Sequence, residues 1–60
     1  MKENENIIIR TKQNISYFGK VNCLNNTYVE VCINSNIGIN VLIPRQEIAE
    51  VVVNGEVRSL

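Results

Sequence analysis

A short polar segment, Arg45-Gln46-Glu47, directly follows Pro44, the single proline of this 60-residue chain. Proline fixes its own φ and lacks a backbone N–H, so it ends a strand and sets the direction in which the chain enters the segment. A guanidinium and an amide in such a turn can bind a phosphate or a base edge. The same residues also make an ordinary connecting turn, and both interpretations stay open.

A second candidate surface is basic and comes from Arg10, Lys12 and Lys20. Residues 1–20 hold four basic and two acidic residues, whereas residues 21–60 hold two basic and four acidic residues. Such a surface suits phosphate groups, although charges of this kind are more often a solvated face. The whole chain is neutral with a pI of about 6.1, which is unusual for a nucleic-acid binder.

Other chemistry is limited by composition. Histidine and aspartate are absent, which removes the commonest general base, the commonest metal ligand and most paired-carboxylate sites. Cys23 and Cys32 have no Cys-x-x-Cys spacing, and the expected strand register places them on opposite faces of a sheet. We therefore expect two reduced cysteines, no metal, no cofactor and no enzymatic activity.

Length and composition indicate one small domain over residues 1–60, with residues 1–6 as a flexible N-terminus. Apolar residues make up 45% of the chain, which is too many for a disordered segment. No apolar run approaches the roughly 20 residues of a membrane helix, and the polar start does not resemble a signal peptide. We expect a cytoplasmic protein, and the ten asparagines and nine isoleucines suggest an AT-rich bacterial or phage source.

Nine isoleucines and eight valines against one alanine favour strands, and no segment shows helical periodicity. Turn signals predict five strands and a possible sixth: 7–11, 15–23, 28–33, 37–43, 48–53 and, after a hairpin turn at Asn54-Gly55, 56–60. A three-residue loop at 25–27 pairs Val21 with Val31 and Cys23 with Val29, which keeps the apolar faces together. The expected inward residues at the strand ends include Ile15, Ile33 and Ile37.

These short antiparallel strands predict an all-β fold, a small and strongly bent five-stranded barrel with a possible C-terminal hairpin strand. Gly19, in the middle of the second strand, marks sharp bending or a close backbone approach. Residues 7–9 and 51–53 are apolar on both faces, and a domain of about 60 residues has a marginal core. We therefore expect the chain to form a homo-oligomer.

Two segments resemble the signatures of the Sm-like family, most closely its bacterial Hfq branch. The run from Gly19 to Asn25, Gly-Lys-Val-Asn-Cys-Leu-Asn, is similar to the first Sm signature: glycine, then an apolar residue at the second position after it, then Asp or Asn at the sixth. The run from Ile43 to Ile48, Ile-Pro-Arg-Gln-Glu-Ile, is similar to the second, a polar turn between two isoleucines. The alternating apolar residues of 7–31 fit the family's first three strands without a gap.

The resemblance implies a ring in which the fourth and fifth strands of neighbouring subunits pair. It also implies RNA bound near the pore by the loops at 25–27 and 44–47. The family's stacking side chain would fall at Thr27, which cannot stack on a base, and the family's Tyr-Lys-His turn would fall at Pro44-Arg45-Gln46. Stacking contributes about 1–3 kcal/mol per base, so its loss weakens the expected binding.

Two functions from different classes follow. The first is an oligomeric Sm-like barrel that binds RNA or an oligonucleotide through Asn25, Thr27, Arg45, Gln46 and Lys20. The alternative is a phage- or bacterium-encoded protein-binding adapter or inhibitor, or an oligomer that sequesters a small molecule, with no nucleic-acid role.

Overall fold

The computed structural model describes residues 1–58, which form one antiparallel sheet of six strands. The strands are β1 (Asn6–Thr11), β2 (Ser16–Leu24), β3 (Tyr28–Asn34), β4 (Ile39–Pro44), β5 (Ile48–Val53) and β6 (Glu56–Arg58). A 3-10 turn, Arg45–Glu47, joins β4 to β5. The expected all-β fold is confirmed, and within the described residues no helix is long and apolar enough to cross a membrane.

The order of strands in the sheet is β4-β3-β2-β1-β5-β6. β1 therefore lies between β2 and β5, while β4 and β6 form the two edges. The predicted hairpin at Asn54-Gly55 is confirmed: both residues have positive φ, 52° and 79°, as a type I′ turn requires. The C-terminal hairpin strand is confirmed over Glu56–Arg58, and the part of it predicted at 59–60 lies outside the described residues.

The core lies on the inner face of the bent sheet and consists of β-branched side chains. Its buried members come from the five strands β1 to β5: Ile7, Ile9, Val21, Val29, Val31, Ile43, Ile48, Val51 and Val53. Thr11 is buried beside them, and its hydroxyl accepts a hydrogen bond from the backbone N–H of Ile15 at 3.2 Å. The alternating pattern of β1 and β5 thus has one fully covered face.

A β-bulge in β2 changes the predicted register. Val21 pairs with Val31 as expected, but Cys23 lies opposite Glu30, so the predicted pairing of Cys23 with Val29 is wrong. The register shifts between Val21 and Cys23, which places one extra residue opposite β3. This shift puts Cys23 on the same face as Glu30 and Cys32, so the prediction that the two cysteines lie on opposite faces is also wrong.

The predicted start of the fourth strand is wrong by two residues. β4 begins at Ile39 because Gly38 adopts φ 71° and completes a four-residue turn after β3. Ile37 therefore lies in the turn and is exposed. Two further residues expected to face the core are also exposed: Ile15, which directly precedes β2, and Ile33, the second-last residue of β3.

Gly19 sits where the backbone of β3 lies close to β2. A Cβ atom on this residue would lie 2.3 Å from the carbonyl oxygen of Cys32 and 2.8 Å from Cγ1 of Val31. Real Cβ atoms essentially never lie within 3.0 Å of such an atom, so any side chain at position 19 would force β2 and β3 apart. The expected close backbone approach at Gly19 is confirmed.

Candidate functional site

Two loops that are far apart in sequence meet at one end of the sheet. The β2–β3 turn, residues 25–27, is joined to the 3-10 turn by a hydrogen bond from the backbone N–H of Arg45 to the carbonyl oxygen of Thr27 at 2.9 Å. Pairing of Tyr28 with Pro44 brings the loops together, since it is the last pair of the β3–β4 ladder. Between the loops lies a cavity of about 290 Å³, the loop groove, lined by Asn26, Thr27, Pro44, Arg45 and Gln46.

Asn25 shapes the turn and does not line the groove. Its side-chain oxygen accepts hydrogen bonds from the backbone N–H groups of Thr27, at 2.8 Å, and Tyr28, at 3.0 Å. Its own backbone N–H donates to the carbonyl oxygen of Tyr28 at 3.1 Å. This is an Asx-turn arrangement, in which a short side chain replaces backbone partners. A ligand would have to compete with these bonds to reach the Asn25 amide.

Arg45 is held in place by the opposite loop. Its Nε donates a hydrogen bond to the carbonyl oxygen of Asn25, and the side chain is partly buried. A guanidinium carries five N–H donors, so this bond leaves the Nη donors for a ligand. Among residues 1–58 no carboxylate forms an ion pair with Arg45. The loop groove therefore contains one oriented and uncompensated positive charge.

The other predicted basic residues lie elsewhere. Lys20 is in the middle of β2, paired with Asn6 and Cys32, and five residues of strand place it roughly 16 Å from Asn25. Arg10 donates from Nε to Oε1 of Glu50 at 2.6 Å, so its charge is compensated. The first hairpin consequently does not present three free basic groups on one surface.

Of the five predicted site residues, the structure places Thr27, Arg45 and Gln46 in the groove, Asn25 in the adjoining turn and Lys20 apart. Sequence reasoning missed Asn26, whose exposed side chain lines the same groove. Its position between Asn25 and Thr27, both predicted site residues, was the signal that could have identified it. Lys12 was also missed here: its backbone N–H donates to the carbonyl oxygen of Glu47 at 2.8 Å, which sets it beside the 3-10 turn.

Within residues 1–58 there is no group of three or more His, Cys, Asp or Glu side chains close enough to hold a metal ion. Cys23 and Cys32 are free thiols, both partly buried. The groove thus offers hydrogen-bond donors, amides and a cation, which are means of binding.

We compared the chain with protein-family models, with curated proteins and with solved structures. None of the three comparisons gave a match.

Proposed function

We propose that this protein is an Sm-like oligomer that binds single-stranded RNA or a short oligonucleotide at the loop groove. The observation that carries the proposal is Arg45, a cation oriented by the Asn25 carbonyl and left without a carboxylate partner among the described residues. The two loops that form the groove are the two that the Sm signatures would occupy. We further propose a cytoplasmic location, which two reduced thiols suit.

The chemistry of the groove fits a nucleotide. The free Nη groups of Arg45 can donate to phosphate oxygens, and the flat guanidinium can stack on a base. The amides of Asn26 and Gln46 supply both donors and acceptors for a base edge. The volume of about 290 Å³ is close to the lower end of small-molecule pockets, which suits one nucleotide and little more.

Each groove should bind weakly, because none of its lining residues is aromatic. The expected ring compensates, since identical grooves on neighbouring subunits bind one strand with the high effective concentration of linked sites. Sheet edges are the natural route to such a ring. β4 has a free edge, whereas the edge of β5 is covered over Val51–Val53 by β6. A ring closed by β4 and β5 therefore requires β6 to move aside.

Fluorescence anisotropy with labelled single-stranded RNA of several base compositions tests the proposal. We expect binding to weaken with salt, with a log–log slope of about −0.7 per phosphate contacted, and Arg45→Ala to remove about one contact per subunit. Arg58→Ala is a control outside the groove, since it removes a positive charge from exposed β6, where Arg58 lies 3.8 Å from Glu56. Lys20→Ala is the closer match, since it removes a charge that has no ion-pair partner among residues 1–58, and it should resemble Arg58→Ala if the groove is the site.

The proposal fails if no single-stranded RNA or DNA binds in a salt-sensitive way. It also fails if Arg45→Ala and Arg58→Ala reduce binding equally, because binding would then reflect general charge. Gln46→Ala, which removes no charge, separates amide contacts from electrostatics: in the proposed site it weakens binding without changing the salt slope.

A second candidate is the protein-binding adapter or inhibitor, and a specific observation favours it. The groove lacks an aromatic side chain, while Phe18 and Leu42 are exposed on the outside of the sheet. Exposed apolar side chains that form a contiguous patch often mark a protein contact, and Phe18 lies beside Ile8 of β1 in such a patch. This function predicts a defined complex with a host protein that survives nuclease treatment and is lost on substitution of the apolar side chains but not of Arg45.

A further inference from the structure

Four apolar side chains form a continuous row across the outer face of the sheet. The register pairs Phe18 of β2 with Ile8 of β1, Ile8 with Val52 of β5, and Val52 with Val57 of β6. Cross-strand partners lie on the same face, so the four side chains are neighbours. We call this set the outer row. It lies on the face opposite the core, where an alternating strand normally carries polar residues.

The outer row is well exposed and carries no charge. Phe18 is 69% exposed, Val57 is 66% exposed and Ile8 is 36% exposed. The next cross-strand pair on one side of the row is Asn6 with Lys20. The next on the other side includes Arg10, whose charge is compensated by Glu50. The row thus has an apolar centre and a polar border, the arrangement found in protein interfaces.

A shallow cavity of about 190 Å³ adjoins the row. We call it the outer groove, and its lining residues are Asn6, Ile7, Ile8, Phe18, Val52, Asn54 and Gly55. An enclosed cavity of about 150 Å³ holds a benzene molecule, so this open groove has the volume for a phenyl ring that lies in it with one side uncovered. Phe18, the only phenylalanine of the chain, is one of its lining residues.

A projecting ring and a groove of matching size on one surface patch make that patch self-complementary. In a two-fold dimer the same surface patch of both copies forms the contact. A side chain that projects from the patch of one copy therefore has to fit a groove in the same patch of the other copy. We propose that two copies of this chain pack outer face against outer face, with Phe18 of each copy in the outer groove of the other. The neutral net charge of the chain adds no repulsion between copies.

The exposed area predicts a weak association. The four side chains of the row present on the order of 350 Å² per copy, the size of the largest apolar patch on an ordinary monomer. Two copies would bury about 700 Å² from these residues, below the roughly 1,200 Å² of the smallest standard interfaces. We therefore expect a dimer that forms at micromolar to millimolar concentration.

This contact uses a face of the sheet and leaves both edges free. It is therefore independent of RNA binding at the loop groove. A ring closed by β4 and β5 would displace β6 and with it Val57, so the contact is proposed for chains in which β6 stays paired with β5. In that form the outer face doubles the smallest assembly in solution. The test can fail without affecting the proposed function, and the proposed function can fail without affecting this contact.

Sedimentation of the full chain from about 10 µM to about 1 mM tests the contact, since weak dimers dissociate in this range. Fluorine-labelled phenylalanine reports on Phe18 alone, because no other phenylalanine is present. We expect the mass to double with concentration and the fluorine resonance to shift in parallel. Phe18→Ser should weaken association at least about 100-fold, since the symmetric contact loses two rings.

Leu42→Ser is the matched control, because Leu42 is 58% exposed on β4 and outside the row. It should leave the doubling unchanged. Should Phe18→Ser fail to fold by circular dichroism, Val57→Ser tests the other end of the row. The proposal is overturned if the wild-type mass and fluorine shift stay constant over the range. It is equally overturned if doubling survives substitution in the row, or depends on Leu42.

Discussion

Replacing Gly19 with alanine should destabilise the protein strongly, because of a contact and not because of backbone strain. The added Cβ would lie 2.3 Å from the carbonyl oxygen of Cys32, 2.8 Å from Cγ1 of Val31 and 2.9 Å from the carbonyl carbon of Cys32. Two of these three atoms belong to the backbone of β3. Rotating or shortening Val31 would therefore not relieve the overlap, and β3 must move away from β2.

The magnitude follows from the size of the domain. Forcing an extra carbon into a packed site costs about 2–3 kcal/mol when the neighbours are backbone. A 60-residue domain has about 3–9 kcal/mol of stability, so the substitution removes a third or more of it in the middle of that range. Each kcal/mol corresponds to about 4–8 °C in a domain of this size, which gives a fall in Tm of about 8–24 °C.

Thermal unfolding followed by circular dichroism measures the effect, and Ser16→Ala is the control. Ser16 is exposed in the same strand, so its substitution should change stability by no more than about 0.5 kcal/mol. If Gly19→Ala melts within about 2 °C of the wild type, β3 does not approach β2 as described, and the reasoning is refuted.

Three further outcomes test the packing and the surface. A double-mutant cycle on Arg10 and Glu50, followed by urea unfolding, should give a coupling of about 0.5–1 kcal/mol that shrinks with salt, because both side chains are partly exposed; no coupling would mean that the pair does not stabilise the fold. Mild oxidation should leave Cys23 and Cys32 as two thiols by mass spectrometry, because diagonal partners have Cα atoms about 7–8 Å apart, too far for a disulfide. Thr11→Val should lower stability by about 1 kcal/mol in chemical unfolding, because a turn amide loses its acceptor; an unchanged or raised midpoint would show that water replaces the hydroxyl.

Strand positions could be predicted from the sequence because alternation and turn residues are local signals. Asn54-Gly55 was enough to predict the last hairpin, and both residues have the positive φ expected of them. The bulge after Val21 could not be predicted, because an extra residue in a ladder is visible only when both strands are known. The predicted start of β4 was wrong for a related reason. Ile37 continues the alternating apolar pattern of β4, but it lies in the turn that Gly38 completes.

The candidate site was predictable in part. The resemblance to the Sm signatures named the loops at 25–27 and 44–47 as one RNA-binding region, but the hydrogen bond that joins them within one chain was not predicted. That Asn25 is occupied by its own turn could have been inferred, since asparagine at a turn start commonly bonds backbone amides two and three residues later. The neutralisation of Arg10 could not, because Glu50 is 40 residues away and reaches it only through β1–β5 pairing.

The central place of β1 has a consequence for the order in which the sheet can form. The strand on the second edge of β1 is β5, and the pair of these strands that is nearest in sequence joins Thr11 to Ile48 across 36 intervening residues. Only four residues separate β1 from β2, so the β1–β2 hairpin forms first, because closing a longer loop costs more chain entropy. Until β5 pairs with β1, Ile7 and Ile9 lie at an open edge of the sheet.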